Sequence, residues 1–123
     1  MREGVGIDLL DVGRLQAALD RRPALRERLF TRGELDACAD RPTRHLAARF
    51  CAKEAVTKAL RLDALRPLEI EVVGRGGPPS VRLHGAARAR ADALGVAVAV
   101  SLTHERHTAA AMAWAVPATG EEA

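Results

Sequence analysis

Residues 44–61 read RHLAARFCAKEAVTKALR. Projected at roughly 100° per residue, Ala48, Ala52, Ala55 and Ala59 fall on one narrow stripe. A row of methyl groups lets a neighbouring backbone come close, so the stretch predicts a central helix laid along another element. Leu46, Val56 and Leu60 lie beside the stripe, and Arg49 projects among them toward the apolar side. An unpaired charge there would be costly, so Arg49 calls for a fixed anionic partner in the protein or in a ligand. Glu54 and Lys58 are spaced i,i+4 on another face, where a plain surface ion pair is worth about 0.3–0.5 kcal/mol. Lys53 and Lys58 are about 140° apart around an ideal helix and cannot form one patch. They are the only lysines in a chain with 19 Lys+Arg.

Working outward, residues 3–10 predict a first strand with Asp8 between apolar neighbours, and residues 11–29 a basic helical segment broken at Pro23. Thr31 and Glu34 have the form of a capping box opening a short helix to about Asp40. Residues 68–73 alternate apolar and charged, as a half-buried strand does. GRGGPP (74–79) reads as a turn, SVRL (80–83) as a second short strand, and 85–94 as an Ala-rich helix ended by Gly95. VAVAVSLTH (96–104) and TAAAMAWAV (108–116) are two apolar strands, and residues 117–123 a frayed tail after a single domain over 1–116. Helices come early and strands late, with the first strand returning to the sheet. The expected class is α+β, with a mainly antiparallel sheet packed on the central helix.

The 123 residues are 48% apolar and 28% charged, a globular composition. With only Phe30, Phe50 and Trp114 as aromatics, the core must come from Ala, Val and Leu. The net charge of +3 favours anionic partners. Nucleic acid is the weaker case, because stacking aromatics are nearly absent. Cys38 and Cys51 lack metal-ligand spacing and read as reduced, small apolar residues. Neither an export leader nor a membrane span is recognisable, which gives a cytoplasmic expectation.

Asp8 is a carboxylate in an apolar strand, where Asp is disfavoured. It either faces solvent at an edge, caps the next helix, or faces Glu54. In the last case two hard oxygen ligands meet, and two carboxylates with a phosphate suit Mg²⁺. HERH (104–107) lacks the HExxH spacing of a zinc site, and GRGG lacks the Lys-Ser/Thr of a phosphate loop. His45 and His84 read as surface residues, and Asp11 as a cap for the first helix.

Three blocks resemble the single-domain holo-[acyl-carrier-protein] synthases of the 4′-phosphopantetheinyl transferase superfamily. GVGIDLLDVGRL (4–15) is similar to a G-[IV]-G-x-D motif followed by an Arg, here Arg14; RFCAKEAVTKAL (49–60) resembles R-F-x-x-K-E-A-x-x-K-A; SLTHERHTAAAMA (101–113) resembles S-[IL]-[ST]-H with alternating alanines. FTRGE (30–34) and GPPSVRLHG (77–85) add support. The resemblance implies that fold, and transfer of 4′-phosphopantetheine from coenzyme A to a serine of an acidic apo acyl carrier protein, leaving adenosine 3′,5′-bisphosphate. By position it implies that Asp8 and Glu54 hold Mg²⁺, that Lys53 neutralises the leaving phosphate, and that a carboxylate or a metal-bound water takes the serine proton. Arg49 and Lys58 would hold coenzyme A phosphates, His104 would sit at the adenosine end, and Arg14 would meet the carrier. It further implies a homotrimer with sites between subunits, in fatty acid or polyketide synthesis.

The pattern departs where relatives carry a G-x-G turn after the helix: Arg61 and Asp63 stand there. That departure motivates a second reading, a carrier-protein or coenzyme A binding module without turnover. A third, a small nucleic-acid binder, rests on charge alone.

Overall fold

The structure is a computed structural model and describes residues 4–74 and 77–118. Strand β1 (Gly4–Asp11) leads through α1 (Val12–Arg21), α2 (Leu25–Leu29) and α3 (Arg32–Ala37) to the long α4 (Thr43–Ala59). A 3₁₀ turn (Pro67–Glu69) precedes the hairpin β2 (Ile70–Val73) and β3 (Ser80–Leu83). Helix α5 (Gly85–Leu94) and strands β4 (Val96–His104) and β5 (Thr108–Pro117) complete it. The fold is α+β with antiparallel pairing, as expected, but the strands form two sheets instead of one. β1-β5-β4 make the larger and β2-β3 the smaller.

Helix α4 is the axis of the molecule. Its Ala47, Ala48, Cys51, Ala52, Ala55 and Val56 are all 2% exposed or less. The element that the alanine stripe receives is β1, and the reason is glycine. A Cβ on Gly6 would run into the Ala55 carbonyl, and one on Gly4 into that of Ala59. Strand backbone thus lies directly on helix backbone, at a separation that only Gly facing Ala permits.

Period-two alternation does the rest. Gly4, Gly6 and Asp8 of β1 face α4, together with Ala109, Ala111, Ala113 and Ala115 of β5. Val98, Val100, Leu102 and His104 of β4 share that side. The odd residues of β1 point the other way: Val5, Ile7 and Leu9 are 60%, 60% and 70% exposed.

Local signals mostly act as the sequence predicts. Pro23 separates α1 from α2, and Gly95 closes α5 in the left-handed region at φ 69°. The Thr31–Glu34 capping box is formed. Asp11 occupies the N-cap of α1, but its side chain makes no capping bond. The Val12 amide donates instead to the His107 carbonyl at 2.9 Å. Of the GRGGPP turn, Arg75 and Gly76 lie outside the described residues, as do 119–123 of the expected tail. Pro117 still pairs with Val96 at the end of β5.

Candidate active site

Asp8 and Glu54 meet where β1 crosses α4. Burial raises the Glu54 carboxyl above its ordinary value, and the neighbouring Asp8 charge raises it further, with Lys58 opposing. Lys58 Nζ stands 3.7 Å from Asp8 Oδ1 and donates to the Ile7 carbonyl at 2.8 Å. Asp8 does sit on an edge strand, but on the side turned toward α4, where Lys58 and the Glu54 carboxyl are its neighbours. Below the pair lies Cys51, fully buried, with its thiol 3.5 Å from the Ala109 carbonyl. Burial first, then Asp8, pushes that thiol up to about 12, so it stays protonated. The two carboxyls thus lie close together at a partly buried place, with Lys58 beside Asp8. Their hard oxygen donors fit Mg²⁺, provided ligand phosphate and water complete its shell.

Lys53 is placed quite differently from the expectation. Its Nζ is fully buried and meets Glu34 Oε1 at 2.7 Å, the Pro67 carbonyl at 2.6 Å and the Ile70 carbonyl at 2.7 Å. An ammonium has three donors, and all three are used inside the protein. A role in neutralising a leaving phosphate is therefore corrected: this lysine ties α4 to α3 and to the start of β2. Glu34 completes the tie by accepting from the Val72 amide at 2.7 Å and the Thr31 amide at 2.9 Å.

A second group of residues gathers at the N-terminal half of α4. Arg41, His45, Arg49 and His104 line a pocket of ≈ 230 Å³ closed by Val72, Gly74, Gly77 and Leu102. Arg49 donates to the Gly74 carbonyl at 2.8 Å, and among the described residues no carboxylate pairs with it. Among the same residues its Nε and the Nδ1 of His104 are buried without hydrogen-bond partners. The His45 and His104 rings are 4.5 Å apart, centroid to centroid. Burial lowers both imidazoles, and guanidinium charges lower them further. Such a pocket is made for an anion.

The structure thus joins Asp8, Glu54 and Lys58 at one place and Arg49 with His104 at another, both against α4. Arg14 is exposed on α1, apart from both. His45, read from sequence as a surface residue, belongs to the pocket, as does Arg41. The spacing of His45 and Arg49 was a usable signal, since i and i+4 share a helix face, whereas Arg41 reaches the pocket from the turn before α4.

A family model described as the 4′-phosphopantetheinyl transferase superfamily matches residues 4–113. The holo-[acyl-carrier-protein] synthase of Beutenbergia cavernae is 47% identical over 113 residues, covering 89% of this chain and 94% of the relative. The solved acyl carrier protein synthase of Mycobacterium tuberculosis is 43% identical with a TM-score of 0.72, covering 93% of this chain and 96% of that one. A Chronobacterium ammoniagenes synthase solved as a coenzyme A complex is 28% identical with a TM-score of 0.80, covering 95% and 98%.

Proposed function

The chain belongs to the 4′-phosphopantetheinyl transferase superfamily, and we infer from that membership that it works as a holo-[acyl-carrier-protein] synthase. It transfers the phosphopantetheine arm of coenzyme A to an apo acyl carrier protein. The observation in this chain that best supports the reading is the facing of Asp8 and Glu54 across β1 and α4, on the same helix as a cationic pocket.

Phosphoryl transfer asks mainly for positioning and charge neutralisation. Asp8 and Glu54 would hold Mg²⁺, which when bound supplies positive charge to the pyrophosphate oxygens. Lys58, beside Asp8, adds a half-exposed cation on the same side. Arg49 and His104 receive a phosphate at the adenosine end, assisted by Arg41 and His45. The carrier serine attacks the phosphorus that bears the pantetheine arm, and adenosine 3′,5′-bisphosphate leaves.

Arg14 offers an exposed guanidinium on α1 to an acidic carrier, where charge complementarity chiefly speeds encounter. The exposed apolar side of the large sheet supports a homotrimer with sites shared between subunits. Cys38 and Cys51 are buried and form no disulfide, which suits a reducing cytoplasm. Among the described residues no helix is long and apolar enough to cross a membrane.

The test is direct. The protein is incubated with coenzyme A, Mg²⁺ and an apo carrier protein, and the carrier is weighed by mass spectrometry. The mass of one phosphopantetheine should be added, and chelation of the metal should stop it. Binding of coenzyme A without any added mass across several carriers would favour a silent binding module.

A further inference from the structure

The pocket at the N-terminal half of α4 holds more positive groups than a plain phosphate contact needs, and two of them are imidazoles in contact. Among the described residues, every charged or titratable group acting on the His45–His104 pair is cationic or becomes so. Arg41 comes from the turn before α4, Arg44 and Arg49 from α4 itself, and His104 from β4. No carboxylate lines this pocket among the described residues. At a ring separation of 4.5 Å, and beside guanidiniums that cannot lose their protons, two imidazolium ions together are strongly disfavoured. The protein's own lining therefore disfavours protonation of both rings, and both shifts run in that direction.

A dianion changes this balance. A phosphate monoester brings two negative charges and three acceptor oxygens, more than either phosphorus of an esterified pyrophosphate carries. Arg49 can present its fork to it, and His104 Nδ1 has a buried position still to satisfy.

We propose that His45 is a specificity-determining residue, forming with His104 an imidazole pair that takes up one proton when a terminal phosphate monoester enters the pocket. The proton comes from solvent and remains on the pair as an N–H donating to a phosphate oxygen. His45 thereby selects coenzyme A over its form without the 3′-phosphate, and does so most strongly at low pH. The inference rests on the coenzyme A reading above.

The test is calorimetric titration of the full chain with coenzyme A and with 3′-dephospho-coenzyme A. It is run at about pH 6.5 and about pH 8, in buffers of different ionisation enthalpy, so that proton uptake is counted directly. The parent should take up a proton with coenzyme A at the lower pH and none with the dephospho form. In His45→Gln the uptake should disappear. The preference for coenzyme A should then fall about tenfold at the lower pH and much less at the higher, the loss expected for one hydrogen bond to a charged group. His45→Asn serves as a second variant, and circular dichroism checks that each is folded.

Unchanged uptake and preference in folded His45→Gln and His45→Asn would overturn the proposal while leaving the synthase reading intact. Equal uptake with both nucleotides would overturn it too, by assigning the pocket to the pyrophosphate. A parent that binds neither nucleotide would bring down the reading on which the proposal stands.

Discussion

Glu54, proposed as a metal-holding acid, is a carboxyl whose surroundings oppose its charge. Its carboxyl lies above its ordinary value because burial and Asp8 both oppose ionisation. A raised carboxyl adds stability that is complete below about pH 4.5 and lost as the pH climbs through the folded-state value. Near pH 7 the ionised group is therefore a burden on the metal-free fold. Glu54→Gln should raise the melting temperature of metal-free protein at about pH 8, with the gain shrinking toward about pH 5. The same variant should lose both turnover and the thermal shift produced by Mg²⁺. A melting temperature that drops, or a retained Mg²⁺ shift, would refute this account of the site. Lys53, its neighbour in sequence, has the opposite role. Both it and Glu34 are fully buried, so Lys53→Met would leave an unpaired carboxylate in the core, a loss of about 3–5 kcal/mol. Adding Glu34→Gln should recover part of that loss in urea unfolding. If Lys53→Met is as stable as the parent but inactive, the catalytic assignment returns. Nothing in the spacing of Lys53 separated these roles, because its partner lies 19 positions away in a capping box that sequence reads as purely local.

At the scale of elements, the end of α4 answers the question raised by the missing glycines. Leu62 N–H donates to the Thr57 carbonyl at 3.0 Å and Arg61 N–H to that of Lys58 at 3.1 Å. This is the paired bonding of a Schellman turn, whose left-handed position usually takes glycine. Here Arg61 occupies it at φ 53°. The backbone route is kept without the residue that makes it easy, and a side chain in that region costs roughly 1–2 kcal/mol. Relief of that backbone cost should outweigh the loss of the exposed side chain's own interaction, so Arg61→Gly should stabilise the protein by up to about 1 kcal/mol, measured by urea unfolding. A loss of stability would mean that the arginine side chain holds the turn. Elements of this kind were largely legible beforehand. The helix of α4, the Pro23 break, the capping box and both late strands follow from periodicity and punctuation. Two features were not. The division into two sheets depends on which strands find partners, a tertiary matter. The His45 contact depends on β4 carrying His104 to the side of α4 that bears His45 and Arg49.

For the whole molecule, the open side of the large sheet is the feature that one chain leaves unexplained. Val5, Ile7 and Leu9 of β1 are at least 60% exposed, and Trp114 and Val116 of β5 are 38% and 40% exposed. Register puts them side by side, with Val5 opposite Trp114 and Ile7 opposite Met112. A contiguous apolar surface of this kind marks an interaction site, and self-association with closed symmetry is its simplest use. The opposite side of the same strands carries Gly4, Gly6 and Asp8. One element thus carries both the apolar face and the carboxylate proposed to hold the metal, on alternate residues. Ile7→Glu should separate the two. The substituted side chain points away from α4, so the Asp8–Glu54 pair and the Ile7 carbonyl that holds Lys58 keep their places. The buried charge it would introduce between subunits should dissociate the assembly. Light scattering should give the parent a mass near three chains and the variant that of one, with unchanged circular dichroism. Because the synthase site is proposed to be shared between subunits, the monomeric variant should also lose most of its transfer activity. Raising the protein concentration should restore activity in step with the trimer fraction. A parent that runs as a monomer would refute the assembly, and a monomeric Ile7→Glu with full activity would show that one chain contains the complete site.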